Sequence, residues 1–246
     1  MIRRIAPEVP IVDVTHGITR HGVRHGALVL AASLPYMPVG VHVAVVDPQV
    51  GTERRAVALR CVDGRLLVGP DNGVLSLAWE RAGGVDEAVD ISRSPHRLEP
   101  VSATFHGRDV FAPVAAHLAS GAELSDAGDP LDPEQLVRLA LPEPRLAADS
   151  AAAHALVIDG FGNVALDLRH EHLRGMGLTI GSRVSVEAGV RRREAVFVRT
   201  FADVAPGALL IYEDAWGYVA LAVNRGDASA ELELSPDDEL RIAPAS

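Results

Sequence analysis

Three turns in this sequence combine residue types suited to acid–base chemistry and substrate orientation. The first is Asp47-Pro48-Gln49-Val50-Gly51-Thr52-Glu53-Arg54-Arg55. A carboxylate, a tight turn and two guanidinium groups bring opposite charges together, over a ligand pocket or as a surface ion pair. The second, Thr104-Phe105-His106-Gly107-Arg108-Asp109, offers an imidazole that titrates near neutral pH beside a glycine that permits close approach. The third, Asp159-Gly160-Phe161-Gly162-Asn163, sets an aromatic ring between two glycines, next to an amide. That arrangement suits a flat base that stacks and hydrogen-bonds along its edge, and it equally suits an ordinary hairpin turn. Gly69-Pro70-Asp71-Asn72-Gly73 reads as a rigid turn into a helix capped by Asn72. His170-Glu171-His172 has ligand-like spacing, but an isolated pair on a polar stretch is weak evidence, so no metal is predicted.

Two kinds of scaffold must position these turns. In the N-terminal part, short apolar runs at residues 11–14 and 42–46 read as strands. Residues 23–33, 74–81 and 108–118 read as helices. Residues 56–62 and 66–68 read as a hairpin around Asp63-Gly64. Strands alternating with helices predict an α/β domain over residues 1–146 with a mostly parallel sheet, whose ligands lie beyond the strand ends. The Pro- and acid-rich stretch 129–144 reads as a linker. Beyond it, runs at 155–158, 183–186, 195–199, 209–212, 219–223 and 232–234 are separated mostly by Gly or Pro. They predict a small β-barrel or sandwich over residues 147–246.

Composition narrows the function. The 246 residues carry 33 acids against 23 bases, a net charge of -10, and 48% apolar residues. That balance argues against a nucleic-acid footprint or a polybasic membrane surface. Every one of the 23 basic residues is Arg, which excludes Schiff-base lysine chemistry and a Walker phosphate loop. Cys61 lies alone in an apolar run and is predicted to be an inert buried thiol. With no apolar stretch near 18 residues and no signal-like core, a soluble cytoplasmic protein is predicted.

Taken jointly, the motifs resemble one family. The ordered set Asp47-Pro48-x-Val50-Gly51-Thr52-x-Arg54, Gly69-Pro70-Asp71-Asn72-Gly73, Thr104-Phe105-His106-Gly107-Arg108-Asp109-x-Phe111-Ala112-Pro113 and Asp159-x-Phe161-Gly162-Asn163 is similar to that of the S-adenosyl-L-methionine (SAM) hydroxide adenosyltransferases, relatives of the fluorinase and chlorinase. Asp13-Val14-Thr15-His16 and Gly217-Tyr218-Val219-Ala220-Leu221-Ala222-Val223-Asn224 fit as well. The resemblance implies an enzyme that cleaves SAM to adenosine and L-methionine, with water or hydroxide attacking ribose C5′ and no cofactor. It implies a three-layer α/β domain followed by a β-barrel, in a homotrimer whose sites form between neighbouring subunits. The family's triad falls on Asp47, Arg54 and His106. The adenosine contacts fall on Phe161, Asn163, Phe201 and the backbone near Val223 and Asn224, with Asp159 near the methionine ammonium.

Those assignments imply a mechanism. Sulfonium makes methionine a good neutral leaving group, so the difficulty lies in water, whose pKa is about 15.7. The expectation is that Asp47 and His106 hold the water while Arg54 orients Asp47. Halide-using relatives replace the triad Asp with Tyr and the triad His with a small residue. Both are kept here, which favours water over halide. A non-catalytic SAM- or adenosine-binding homologue is the other reading. Four departures from the family pattern stand out. The usual first strand, with its ribose-binding Asp, does not precede Met1-Ile2-Arg3-Arg4, so a sheet short of that strand is expected. Gln49 stands in place of a Gly, Leu166-Asp167 in place of Thr-Asn, and Ala215 in place of a Ser. If position 49 requires positive φ, Gln there would store about 1–3 kcal/mol of strain.

Overall fold

The computed structural model describes residues 1–245, which divide into two compact units, Met1–Leu139 and a second from Ala140 onward. The first unit is a sheet covered on both faces. Its strands are β1 (Val41–Val43), β2 (Ala56–Cys61), β3 (Leu66–Pro70), β4 (Val85–Asp90) and β5 (Asp129–Leu131), in the order β1-β3-β2-β4-β5. Its helices are α1 (Ile2–Ile5), α2 (Val23–Ser33), α3 (Ser76–Arg81) and α4 (Ala112–Ala119). Alternation along β2 and β3 divides the core. Val57, Leu59 and Leu67 pack with Leu30, Leu75 and Trp79 of the α2–α3 layer. Ala58 and Val68 pack with Phe111, Val114 and Leu118 of the α4 layer. Burial on both faces explains why these strands read as continuous apolar runs. Cys61 is buried, and burial pushes its thiol up to about 12, as an inert thiol requires.

The expectation of a mostly parallel sheet does not hold. Only β1 and β3 run parallel; β2–β3, β2–β4 and β4–β5 are antiparallel. The cause is connection length, since four residues between β2 and β3 permit only a hairpin. Residues 11–14 form no strand either: Ile11, Val12 and Val14 are exposed, and β1 lies at the sheet edge.

In the second unit a seven-strand ring closes through β7 and β13. The strands are β6 (Arg145–Leu146), β7 (Ala151–Ile158), β8 (Val164–Leu166), β9 (Arg183–Ala188), β10 (Arg191–Phe197), β11 (Leu209–Glu213), β12 (Val219–Val223) and β13 (Glu239–Pro244). The ring runs β13-β9-β10-β11-β12-β8-β7, the β13–β7 pairing closes it, and β6 adds to β7. Closure leaves no free edges among the ring strands. Leu166, Val186, Phe197, Ile211, Leu221 and Ile242 fill the interior. Helices α5 (His170–Gly175) and α6 (Ala228–Leu232) lie in the connections. The run at 232–234 is therefore not a strand. Asp227 accepts from Ala230 N at 2.8 Å and starts a helix that Glu233 ends in the left-handed conformation, φ 55°. The closing strand β13 alternates exposed Glu239 and Arg241 with buried Leu240 and Ile242, a period-2 pattern too short to stand out in the sequence analysis.

Candidate active site

The triad assembles within the first unit. The chain leaves β1 extended, with Ala44 N still bonded to Val68 O at 3.1 Å, and reaches Asp47 at the head of a turn. Thr52 Oγ1 donates to Gln49 O at 2.8 Å, and the chain doubles back so that Arg54 faces Asp47. Arg54 Nε donates to Asp47 Oδ1 at 3.1 Å, and Arg54 Nη2 donates to Asp47 Oδ2, a two-point clasp. The same Nη2 contacts His106 Nδ1 at 3.2 Å. A guanidinium only donates, so Nδ1 accepts and the ring proton sits on Nε2. Arg54 Nη1 donates to Arg55 O at 2.9 Å. Below it lies the buried ring of Phe111, whose centroid is 5.5 Å from Arg54 Cζ. The Asp47 and Arg54 side chains are only 6% and 3% exposed. One guanidinium thus holds an acid and an imidazole together in a place where solvent screens little.

Two loops must meet for this, and beside the Arg54–His106 contact their backbones come together. Gly51, at φ +81°, lies so near Ala103 that a Cβ would stand 2.7 Å from its carbonyl oxygen. The position that requires positive φ is therefore Gly51, where glycine adopts it without strain, and not Gln49, which does not have positive φ. On the other loop, a π-helical turn over Gly107–Phe111 leads into α4 and carries Phe111. Its buried Asp109 accepts from Arg108 Nε at 2.6 Å and from Ser102 N at 2.8 Å. The Arg108 hydrogen bond holds the Asp109 carboxyl below its usual range, with help from the Ser102 N–H.

The Gly69–Gly73 turn braces the site from behind. Asn72 Nδ2 donates to Val46 O at 2.8 Å and its Oδ1 accepts from Val74 N at 3.2 Å, so it links the approach to Asp47 with the segment before α3. It does not cap α3, which begins after Leu75. The Asp71 carboxylate, itself buried, accepts from Arg55 Nε at 2.9 Å and Val137 N at 2.8 Å. A cleft of about 500 Å³ opens beside this pair and is lined by Gln49, Thr52, Glu53, Arg54, Arg55 and Asp71.

The remaining predicted residues lie in the second unit. Asp159 organises its own turn: Oδ1 accepts from Phe161 N at 2.8 Å and Asn163 N at 2.9 Å, and Oδ2 accepts from Asn163 Nδ2 at 2.8 Å. The Asn163 amide therefore turns its NH2 group inward. Phe161 stands 80% exposed on this turn, and Phe201, 39% exposed, lies tilted against Tyr212 at 5.1 Å between centroids. Burial, then the charges of Asp214 and Asp159, push the Tyr212 phenol up to about 12. Val223 is buried at the end of β12. Asn224 Nδ2 donates to Val204 O at 2.8 Å, so that side chain ties loops together. The histidines of α5 go to separate partners, with His170 Nδ1 3.0 Å from Glu213 and His172 Nδ1 accepting from Arg169 N at 3.0 Å. Among the described residues no group of three His, Cys, Asp or Glu side chains is placed to hold a metal ion.

Sequence reasoning missed three contributors. Phe111 was counted as motif, not as the floor under Arg54. Gly51 was not seen as the contact between loops, although its motif position was a signal. Asp227, an acid before Ala-Ser-Ala, carries a helix-cap pattern that the strand expected at 232–234 passed over.

The family model for the SAM hydroxide adenosyltransferase N-terminal domain matches residues 1–128, and that for the C-terminal domain matches residues 153–241. A protein from Salinispora tropica named (R)-S-adenosyl-L-methionine hydrolase is 48% identical over 242 residues, covering 98% of this chain and 89% of the relative. A fluorinase from Actinoplanes sp. is 31% identical over 251 residues, covering 89% of this chain and 83% of the relative. A crystal structure of an uncharacterized conserved protein from Thermotoga maritima matches with a TM-score of 0.88 at 36% identity, covering 98% of this chain and 92% of that one. On the matched domains and the near-complete relatives, the chain belongs to the SAM hydroxide adenosyltransferase family.

Proposed function

We propose that this protein hydrolyses SAM to adenosine and L-methionine by attack of water on ribose C5′. The observation that carries the reading is the shared Arg54 guanidinium, which joins Asp47 and His106 in a buried cluster. A bond forms between the water oxygen and C5′ while the C5′–S bond breaks, and its electron pair returns to sulfur as the neutral thioether of methionine. The proton released from water needs an acceptor. His106 offers a donor at Nε2, because Nδ1 is engaged by Arg54; Asp47 is the acceptor, and later releases the proton to solvent. His106 then orients the water oxygen, and Arg54 fixes the distance between the two. Positioned base help of this kind is worth about 10²–10⁴-fold. A carboxylate at the attack point repels halide, which disfavours a halogenating activity.

The names of the hydrolase relatives specify the (R) configuration at sulfonium. We assign the same epimer as the substrate here. The exposed rings of Phe161 and Phe201 supply stacking walls for the adenine, with Asp159 near the ammonium. These rings are set in the second unit and the triad in the first. We propose a homotrimer with sites shared between neighbouring chains, as the family resemblance implies. Among the described residues no helix is long and apolar enough to cross a membrane, and a cytoplasmic location fits the family's substrate.

The test is incubation of the purified protein with each sulfonium epimer separately, following adenosine and methionine by chromatography, with sedimentation equilibrium to count chains. Adenosine and methionine in equal amounts, formed faster from the (R) epimer by trimers, are expected. Tight SAM binding without product from either epimer would establish the non-catalytic binder instead.

A further inference from the structure

Phe161 and Phe201 sit on different loops, yet both loops are tied to one corner, residues 224–229, which run from the end of β12 into the first turn of α6. On one side, Asn224 Nδ2 donates to Val204 O at 2.8 Å, just past the helical turn Phe201–Asp203. Gly207 N donates to Asn224 O at 2.8 Å, and Asn224 N to Ala208 O at 3.1 Å. On the other side, Ser229 N donates to Gly162 O at 3.0 Å. Gly162 has φ +79°, and a Cβ there would stand 2.0 Å from Asp227 Oδ1. The Asp227 carboxylate rests directly on the glycine of the Phe161 turn. It also accepts from Ala230 N at 2.8 Å and Ser229 Oγ at 2.7 Å, which fixes the first turn of α6 and aims the Ser229 N–H at Gly162.

An exposed ring on a loose loop loses conformational freedom when a ligand arrives, and that loss weakens binding. A ring on a braced turn avoids it. We infer that Asp227 is a positioning residue: by capping α6 it locks the Phe161 turn to the corner that also holds the Phe201 loop, so both adenosine walls are set before substrate enters. The inference rests on the proposed binding role of these rings.

Steady-state kinetics of Asp227→Ala, Asp227→Asn, Gly162→Ala and Phe161→Ala, with thermal melting alongside, test it. Asp227→Ala raises KM for SAM about fivefold with kcat within about twofold, the size expected for loss of one cap. Asp227→Asn keeps a capping acceptor and restores KM. Gly162→Ala moves KM in the same direction, since its methyl group displaces the carboxylate and φ +79° strains any side chain there; an unchanged KM in this variant overturns the brace should Asp227→Ala fail to fold. Unchanged KM in Asp227→Ala or Gly162→Ala, with KM raised in Phe161→Ala, overturns the brace and leaves the binding role standing. A kcat loss at constant KM, or no rescue by Asn, also overturns it. Unchanged KM in Phe161→Ala overturns the binding role itself.

Discussion

In the first unit the proposed catalytic side chains are withdrawn, with Asp47 6% and Arg54 3% exposed; in the second, the proposed binding rings stand out, Phe161 80% and Phe201 39% exposed. The two regions meet different physical demands. Buried charges cost desolvation, and they are retained where a fixed geometry at low dielectric is the return. The Asp47–Arg54–His106 cluster meets that condition, because every contact of Arg54 is to a fixed acceptor and Phe111 closes its underside. Exposed rings on rigid turns meet a different one: they gain only when something flat covers them. Catalytic power should therefore reside in the first region and affinity in the second.

The largest expected effect breaks the first region. Asp47→Asn keeps the shape and removes the proton acceptor, so kcat falls about 10²–10⁴-fold while KM changes little. Initial rates of adenosine formation measure it, and a loss in KM alone would reverse the assignment of roles. Next in size, Arg54→Lys keeps the charge but cannot clasp Asp47 at two points while reaching His106, so kcat falls about a hundredfold. Rates near wild type would mean that the shared guanidinium is not what positions the pair.

The contrast is sharpened from the other side by Phe161→Ala. Removing a stacking ring should raise KM about tenfold and leave kcat close to wild type. A matching fall in kcat would erase the distinction between the regions. The smallest effect concerns acid stability of the first unit. Burial holds His117 below its ordinary value, as does neighbouring His96, stacked on it at 4.4 Å between centroids; burial also lowers His42. A lowered histidine binds fewer protons folded than unfolded, so stability is full above the unfolded value of about 6.5 and declines as pH falls below it. The melting midpoint should drop between pH 7.5 and 5.5, and His117→Gln should reduce that drop. An equal drop in the variant removes His117 as its source.

Much of the site was legible because its chemistry is local. The spacing of Asp47 and Arg54 within one turn, and the run His106–Phe111 at a helix start, put the right groups on short tethers. What the spacing could not convey was the meeting of the two turns, which depends on Gly51 approaching Ala103 across 52 residues of chain. The fold divides similarly. The β2–β3 hairpin and α2 carry their periodicity in the sequence. Residues 11–14 have strand composition but pair with no strand, and propensity alone does not make a ladder. The short β13, whose alternation rests on Leu240 and Ile242 alone, is held as a strand by pairing with β7 on one side and β9 on the other.

By itself, the sequence determined which groups are available: an acid and a guanidinium seven residues apart, an imidazole beside glycine, an aromatic ring in a tight turn, and no lysine. These follow from residue identity and short-range geometry, which the chain encodes directly. Only the tertiary structure decided that Arg54 reaches both Asp47 and His106, that the proton of His106 sits on Nε2, and that Asp227 supports the Phe161 turn. Each of these depends on a contact between segments far apart in the chain, and such contacts are fixed by packing and closure rather than by any local preference.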